Sequence, residues 1–370
     1  MAGTSSGRRM ATALVAIALA VAPVAPAAEP GKTLRVQFSI AETSFDPQYA
    51  PDAASDSVID NIYEAMLDYD YLARPVKLVP RTLEAMPTVA DGGKTYTFRL
   101  RKGIFFTPDP AFKGKPRELT AADQVYALKR LLDPKVRSPW TWLVDGKVVG
   151  SEEARAKAEK TGKFDYDAAI PGFEIVDRYT LRIRLKEPDL RFLYGFALGS
   201  TSAVAREVVE AYGLDFGAHP VGTGPYVLAE YKRSSRMVLV ANPGYRKVTY
   251  APAGPIPPEW QPIAAALKGR QLPLPPRIEI SVIEESQAEW LAFLNRELDL
   301  LERVPSEFID QAIAAGKLKP ELAARGIKHE ILVRPNTWWT YFNMEDPVVG
   351  GYTPEKIALR QAVGDRKSVV

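Results

Sequence analysis

The sequence predicts an α/β protein of about two domains. Short β-forming runs alternate along the chain with segments whose apolar residues recur at helical spacing. Its 370 residues are more than one ordinary core holds and enough for two. Hydrophobic residues at 46% and charged residues at 25% leave material for a sizeable buried core. The 31 prolines gather in connections such as 251–276, not in one disordered tract, and no fixed-period repeat stands out.

Residues 1–27 read as a secretory signal peptide. Arg8 and Arg9 carry the only charges before Glu29, and the apolar run "MATALVAIALAVA" follows them. A membrane span needs about 20 apolar residues, so this run is too short to cross as a stable helix. Ala25-Pro26-Ala27 then offers small residues at the positions a signal peptidase reads, with cleavage expected near Ala27. The Arg-Arg pair is a weak hint of twin-arginine export. Removing this segment takes away two arginines and no acid, so the net charge falls from +3 to +1. The remainder mixes both signs without a basic block and gives no case for nucleic acid binding.

The elements follow in order. "KTLRVQFSI" (32–40) alternates apolar and polar residues as a first strand, and "AETSFDPQYA" is its loop. Asp56 to Leu67 places Val58, Ile59, Ile62 and Met66 at helical spacing. In 92–106, Tyr96, Phe98 and Leu100 share one face of a half-buried hairpin strand. In "ELTAADQVYALKRLLDP", Thr120 and Asp123 match a capping box, Val125, Leu128, Leu131 and Leu132 form the apolar stripe, and Pro134 stops the helix. "SEEARAKAEKTGK" is an exposed helix with Glu152 and Glu153 in its first turn, where the dipole favours them. Phe173 to Val176 and Thr180 to Leu185 are strands, and "TSAVAREVVEAYG" is a helix capped by Gly213.

"VGTGPYVLAEYKRSSRMVLVANPGYR" (221–246) is a β-hairpin, with strands at Tyr226–Tyr231 and Met237–Ala241 and a charged tip. Gly222 and Gly224 either adopt φ > 0 or let another backbone come close, Pro225 fixes φ, and Asn242-Pro243-Gly244 is a turn. All three of Gly222, Gly224 and Pro225 read as structural. "RIEISVI" (277–283) is a further strand. "ESQAEWLAFLNRELDLLERV" is a helix leading to a strand with Leu298 and Leu300 on one side. "VRPNTWWTYFNM" is a strand or extended loop.

The composition excludes several chemistries. Without cysteine there is no thiolate nucleophile or cysteine metal site, and an exported chain of this kind holds together by its core alone. Two histidines, His219 and His329, are too few for an imidazole-built zinc or nickel centre, and no nucleophile elbow accompanies them. No cofactor and no metal are expected. An exported hydrolase and a surface-interaction module remain alternative classes, but no spacing motif selects a pair among the 45 acids.

The order of motifs resembles the family-5 extracellular solute-binding proteins, the peptide receptors of ABC importers. The first strand with "FDP" (45–47), "IYEAMLDYD", "LVPRTLEAM", "GKTYTFRLRKGIFF", "LTAADQVYALKRLLDP", the 221–246 phrase, "AEWLAFLNRELDLLERVP", "YFNMEDP" and "ALRQAV" follow in the family's sequence, over roughly residues 32–363. The resemblance implies a two-lobed type II periplasmic binding protein fold with an inserted subdomain. Lobe I would be 28–75 and 166–275, the insert 76–165, and lobe II would begin at 276 and be truncated. After Val363 the expected apolar helix becomes "GDRKSVV", so a fragment or frameshifted product is expected.

The implied function is peptide capture between lobes that close by hinge motion and hand the ligand to permease subunits. The receptor would be a periplasmic monomer that does not span the membrane. Chelated nickel or haem is the second cargo. Thr43, Ser44 and Phe45, on the loop after the first strand, are the first ligand-contact candidates, although Phe45 equally fits core packing. Trp338, Trp339, Tyr341 and Asn343 are the others, and only one of the adjacent tryptophans can face a cleft if the segment is a strand. Asp46 reads as a turn former.

Overall fold

The computed structural model of the chain describes residues 33–331 and 340–367. The segment read as a signal peptide lies outside them. The chain divides into two compact units, residues 1–305 and 306–370.

In the first unit the elements are β1 (Thr33–Phe38), α1 (Ala53–Ile62), β2 (Thr88–Ala90), β3 (Thr95–Arg99), α2 (Ala121–Arg130), α3 (Ser151–Thr161), β4 (Phe173–Asp177), β5 (Thr180–Arg184), α4 (Arg206–Tyr212), β6 (Tyr226–Lys232), β7 (Arg236–Ala241), β8 (Arg277–Val282) and α5 (Ser286–Leu294), with shorter turns between them. One four-stranded sheet has the order β1-β8-β7-β6. Its β1–β8 pair is parallel, with Thr33 opposite Arg277 and Phe38 opposite Val282. The other two pairs are antiparallel. The second sheet, β2-β3-β5-β4, is antiparallel throughout. A single apolar cluster joins the two, with Phe45, Ile62, Phe98, Leu128, Leu181 and Met237 among its members.

The pairing links segments on both sides of the boundaries expected at 165/166 and 276. β5 pairs with β3 and β4 pairs with β5, so the second sheet draws strands from both sides of residue 165. β8 lies beside β1 over six residue pairs, so 277–282 share the sheet of the first unit. A parallel pair needs a long crossover, and here nearly the whole unit lies between its two strands.

Local chemistry explains the helix limits. α1 starts at Ala53 rather than Asp56, because Asp52 caps it by accepting from Ser55 N at 2.8 Å. It ends at Ile62 rather than Leu67, because the Ile62 carbonyl accepts from Gly224 N at 2.8 Å. Met66 is buried beyond the helix end. α2 carries the expected capping box, and the Asp123 carboxylate accepts from Thr120 N at 2.8 Å. It is buried on nearly all sides, so its polar residues need partners. Lys129 Nζ donates to the carbonyls of Tyr166 and Ala168 at 2.8 Å each. Leu298 and Leu300 do not form the expected strand: Leu298 is buried and Leu300 exposed. The cause is Asp299 between them, whose N–H donates to the Arg35 carbonyl and whose carboxylate accepts from Arg35 N.

The second unit, among its described residues, has short helical turns at Ile309–Ala312 and Pro320–Ala324. A two-residue pairing joins Ile313–Ala314 to Lys317–Leu318, and the helix α6 spans Pro354–Lys367. α6 runs on through "GDRK".

Candidate functional site

The loop leaving β1 is stitched to the first turn of α1. Thr43 N and Ser44 N both donate to the Ser55 hydroxyl oxygen, at 2.9 and 3.2 Å, and that hydroxyl donates to Asp52 Oδ2 at 2.8 Å. Ser55 is fully buried. Burial opposes ionisation of Asp52, but hydrogen bonds from Thr43 and Ser55 outweigh it and hold the carboxyl below its ordinary value. Ser44 Oγ accepts from Asp46 N at 3.1 Å. The loop is therefore fixed at both candidate residues, Thr43 and Ser44.

Phe45 is placed differently. Its ring is fully buried and meets Tyr231 edge-on, with centroids 5.0 Å apart, while its N–H donates to the Gly217 carbonyl. It packs the core beneath the loop. Asp46 is the turn former the sequence suggested, accepting from Gln48 N at 3.1 Å, and it is also half of a buried ion pair. Arg130 of α2 donates to both its oxygens at 2.8 and 2.7 Å, and to Gln48 Oε1 at 2.5 Å. Gln48 in turn donates to the carbonyls of Ser200 and Ser202. Glu42, also buried, accepts from the Tyr231 hydroxyl and Ser234 N through Oε1. Its Oε2 is buried with no hydrogen-bond partner among the described residues.

The exposed side of α1 carries two further carboxylates. Asp56 and Asp60 are one turn apart and converge on the Gly199 backbone. A Cβ there would lie 2.7 Å from Asp60 Oδ1 and 3.0 Å from Asp56 Oδ1. Partial desolvation of its carboxyl, then the charge of Asp56, pushes Asp60 up to about 7 against the pull of Arg81, although the residue as a whole keeps solvent access. Burial and Asp52 raise Asp56 as well. The pair can share a proton or accept a cationic group. Sequence reading missed Asp52, Ser55, Asp56, Asp60 and Arg130. The four-residue spacing of 52, 56 and 60 was the available signal for the acidic face.

The other candidates lie elsewhere in the sequence. Trp338 and Trp339 lie outside the described residues. Tyr341 and Asn343 are exposed in the second unit, where Asn343 Oδ1 accepts from Glu345 N at 3.1 Å. Among the described residues there is no metal-capable group of three His, Cys, Asp or Glu side chains, and no helix is long and apolar enough to cross a membrane.

The glycines of the 221–246 hairpin act by closeness. Neither Gly222 nor Gly224 has positive φ. A Cβ would come within 2.0 Å of the Ile62 carbonyl oxygen at Gly222 and 2.6 Å at Gly224. At the far end of the hairpin, Arg246 grips buried Glu64 through both oxygens at 2.7 and 2.8 Å, and Tyr245, Arg81 and Thr223 complete the set. Asn242 Nδ2 donates to the Gly224 carbonyl.

The sequence profile of the bacterial extracellular solute-binding proteins, family 5 Middle, matches residues 77–364. The chain therefore belongs to the family-5 bacterial extracellular solute-binding proteins. It is 29% identical over 222 residues to the di/tripeptide-binding protein 2 of Pseudomonas aeruginosa, covering 58% of this chain and 39% of that one. It is 28% identical over 251 residues to a glutathione-binding protein of Escherichia coli, covering 68% of this chain and 42% of that one. The fold matches the murein tripeptide binding protein MppA of Escherichia coli with a TM-score of 0.56 at 23% identity, over 76% of this chain and 48% of that one. It matches the periplasmic binding protein DppA of Helicobacter pylori, solved with a peptide, with a TM-score of 0.54 at 22% identity, over 76% and 48%. The chain thus spans about two fifths of the curated relatives and about half of the solved chains. Proteins of this family are binding receptors and not enzymes.

Proposed function

We propose that this protein is the periplasmic receptor of an ABC importer and that it captures dipeptides or oligopeptides for delivery to permease subunits. What carries the reading is the family match over 77–364, together with relatives whose names record di/tripeptide and glutathione binding. The site geometry supports it in one respect. The loop at Thr43 and Ser44 is held rigid beside the Asp56–Asp60 pair, and a preorganised polar loop loses little entropy on gripping a peptide backbone. Thr43 and Ser44 keep their place as contact candidates, with Trp338, Trp339, Tyr341 and Asn343. Phe45 acts beneath the loop. Export by the N-terminal segment, and closure of two lobes over the ligand, belong to the same reading.

The test is a thermal-shift and calorimetric screen of purified protein against di-, tri- and tetrapeptides and glutathione. A ligand at one hundred times its Kd adds about 2.7 kcal/mol of stability, which at about 2–4 °C per kcal/mol raises the melting temperature by roughly 5–11 °C. A folded protein that shifts with no peptide, but shifts with a nickel chelate or haem, would overturn the peptide reading.

A further inference from the structure

We propose that the outer edge of β6 is a docking groove for an extended, cationic segment of another polypeptide, which adds to the sheet as a further strand. A cleft of about 430 Å³ runs beside this strand, and its lining includes the five consecutive residues Val227, Leu228, Ala229, Glu230 and Tyr231. Side chains of a strand alternate between faces. A cavity on one face therefore meets every second residue, whereas one that meets five in a row lies along the edge. β6 is the end strand of its sheet: β7 occupies one edge, and among the described residues no strand pairs with the other. The register slips between Leu228 and Glu230, so Ala229, which is exposed, has no partner across the ladder. An open edge of this kind offers main-chain donors and acceptors to an incoming strand.

The groove has a fixed far wall. Thr107 N donates to the Gly222 carbonyl at 2.9 Å, which anchors the 107–109 segment near the start of β6. Asp109 is held by Ala111 N at 2.8 Å and by the Tyr212 hydroxyl at 3.0 Å, and the ring of His219 stacks on Tyr212 at 4.2 Å. The charge of the lining selects the occupant. Two carboxylates, Asp109 and Glu230, face the groove, and no lysine or arginine lines it. Glu230 has only a loose partner in Arg236 at 3.6 Å. A strand with lysine or arginine at alternate positions would meet both carboxylates while its backbone pairs with β6. This groove neighbours the loop of Thr43 and Ser44, since its residue Tyr231 also meets Phe45 and Glu42, but the inference rests on the open edge of β6 and not on the peptide-receptor reading.

The probe is the blocked pentapeptide acetyl-Lys-Val-Thr-Val-Lys-amide, whose missing terminal charges separate edge pairing from recognition of free peptide ends. Calorimetry on the full chain should show saturable binding, weakened at least tenfold by Ala229→Pro and by the double variant Asp109→Asn/Glu230→Gln. The acetyl-Glu-Val-Thr-Val-Glu-amide analogue should not bind, and excess free trialanine should not displace the probe. Should Ala229→Pro lower the melting temperature, the double variant alone decides. No binding to the wild-type chain, undiminished binding to the double variant, equal binding of the acidic analogue, or displacement by trialanine would each overturn the proposal.

Discussion

Replacing Glu64 by glutamine should be among the most damaging conservative changes in the first unit. The carboxylate is 2% exposed and is met by five donor groups: two from Arg246, and one each from Arg81, Tyr245 and Thr223. Glutamine keeps the shape, but it removes the charge and turns one acceptor into a donor facing donors. Breaking a buried ion pair from one side costs about 3–5 kcal/mol. At about 2–4 °C per kcal/mol, the unfolding transition of Glu64→Gln should fall by roughly 6–20 °C, read by circular dichroism at pH 7. Acid adds a second reading. Burial alone would raise the Glu64 carboxyl, but the hydrogen bond from Arg246 and the charges of Arg81 and Arg246 hold it below its ordinary range. Its contribution is therefore complete above the unfolded pKa of about 4.3 and is lost as pH falls below that toward the folded value. Wild-type stability should drop through this window more steeply than that of Glu64→Gln. A loss below 2 °C at pH 7, with parallel acid profiles, would refute the reasoning.

Three further outcomes follow from the same geometry. Gly222→Ala and Gly224→Ala force a methyl against the Ile62 carbonyl, within 2.0 and 2.6 Å, and should each cost about 1–3 kcal/mol or more; wild-type melting temperatures in both would contradict this. Ser55→Ala removes the acceptor of Thr43 N and Ser44 N and should cost about 1–3 kcal/mol, with faster hydrogen exchange at those two amides; unchanged protection would count against the stitched loop. Asp60, raised to about 7, disfavours the folded state increasingly as pH climbs from its unfolded pKa of about 3.9 through 7. Asp60→Asn should therefore gain on the wild type between pH 5 and 8, and a difference independent of pH would sink the assignment.

What the sequence made legible was local. Alternation located β1, β3, β5, β6, β7 and β8, and the capping box of Thr120 and Asp123 placed the start of α2 to the residue, although the helix ends at Arg130 and not at Pro134. Errors arose where a distant partner decided the outcome. Four helically spaced apolar residues ran from Val58 to Met66, but α1 stopped at Ile62 because a carbonyl there was claimed by Gly224, far along the chain. Leu298 and Leu300 alternate as a strand should, yet Asp299 bonding to Arg35 gave them opposite fates. The parallel pairing of β8 on β1 joins segments more than 200 residues apart, and no local pattern in either strand announces it. Of the candidate site, Thr43 and Ser44 were readable from their position after a strand, but the serine that fixes them sits inside a helix and carries no motif.

The 221–246 hairpin shows the same limit from the other side. Its glycines read as structural, with two physical reasons open: a left-handed backbone or the approach of another chain segment. The structure selects the second, since both residues keep ordinary φ and the missing Cβ is what matters. The partner is residues 62–64. Gly222, Thr223 and Gly224 meet this tripeptide from just before the hairpin's first strand, and Tyr245 and Arg246 meet it from beyond the second. One short segment thus holds both ends of a hairpin more than 150 residues away in sequence. The same segment ends the helix to which the Thr43–Ser44 loop is stitched. Disturbing Glu64 should therefore loosen that loop as well as the hairpin, and amide exchange at Thr43 and Ser44 in Glu64→Gln, measured well below its melting temperature, would separate such coupling from a purely local defect.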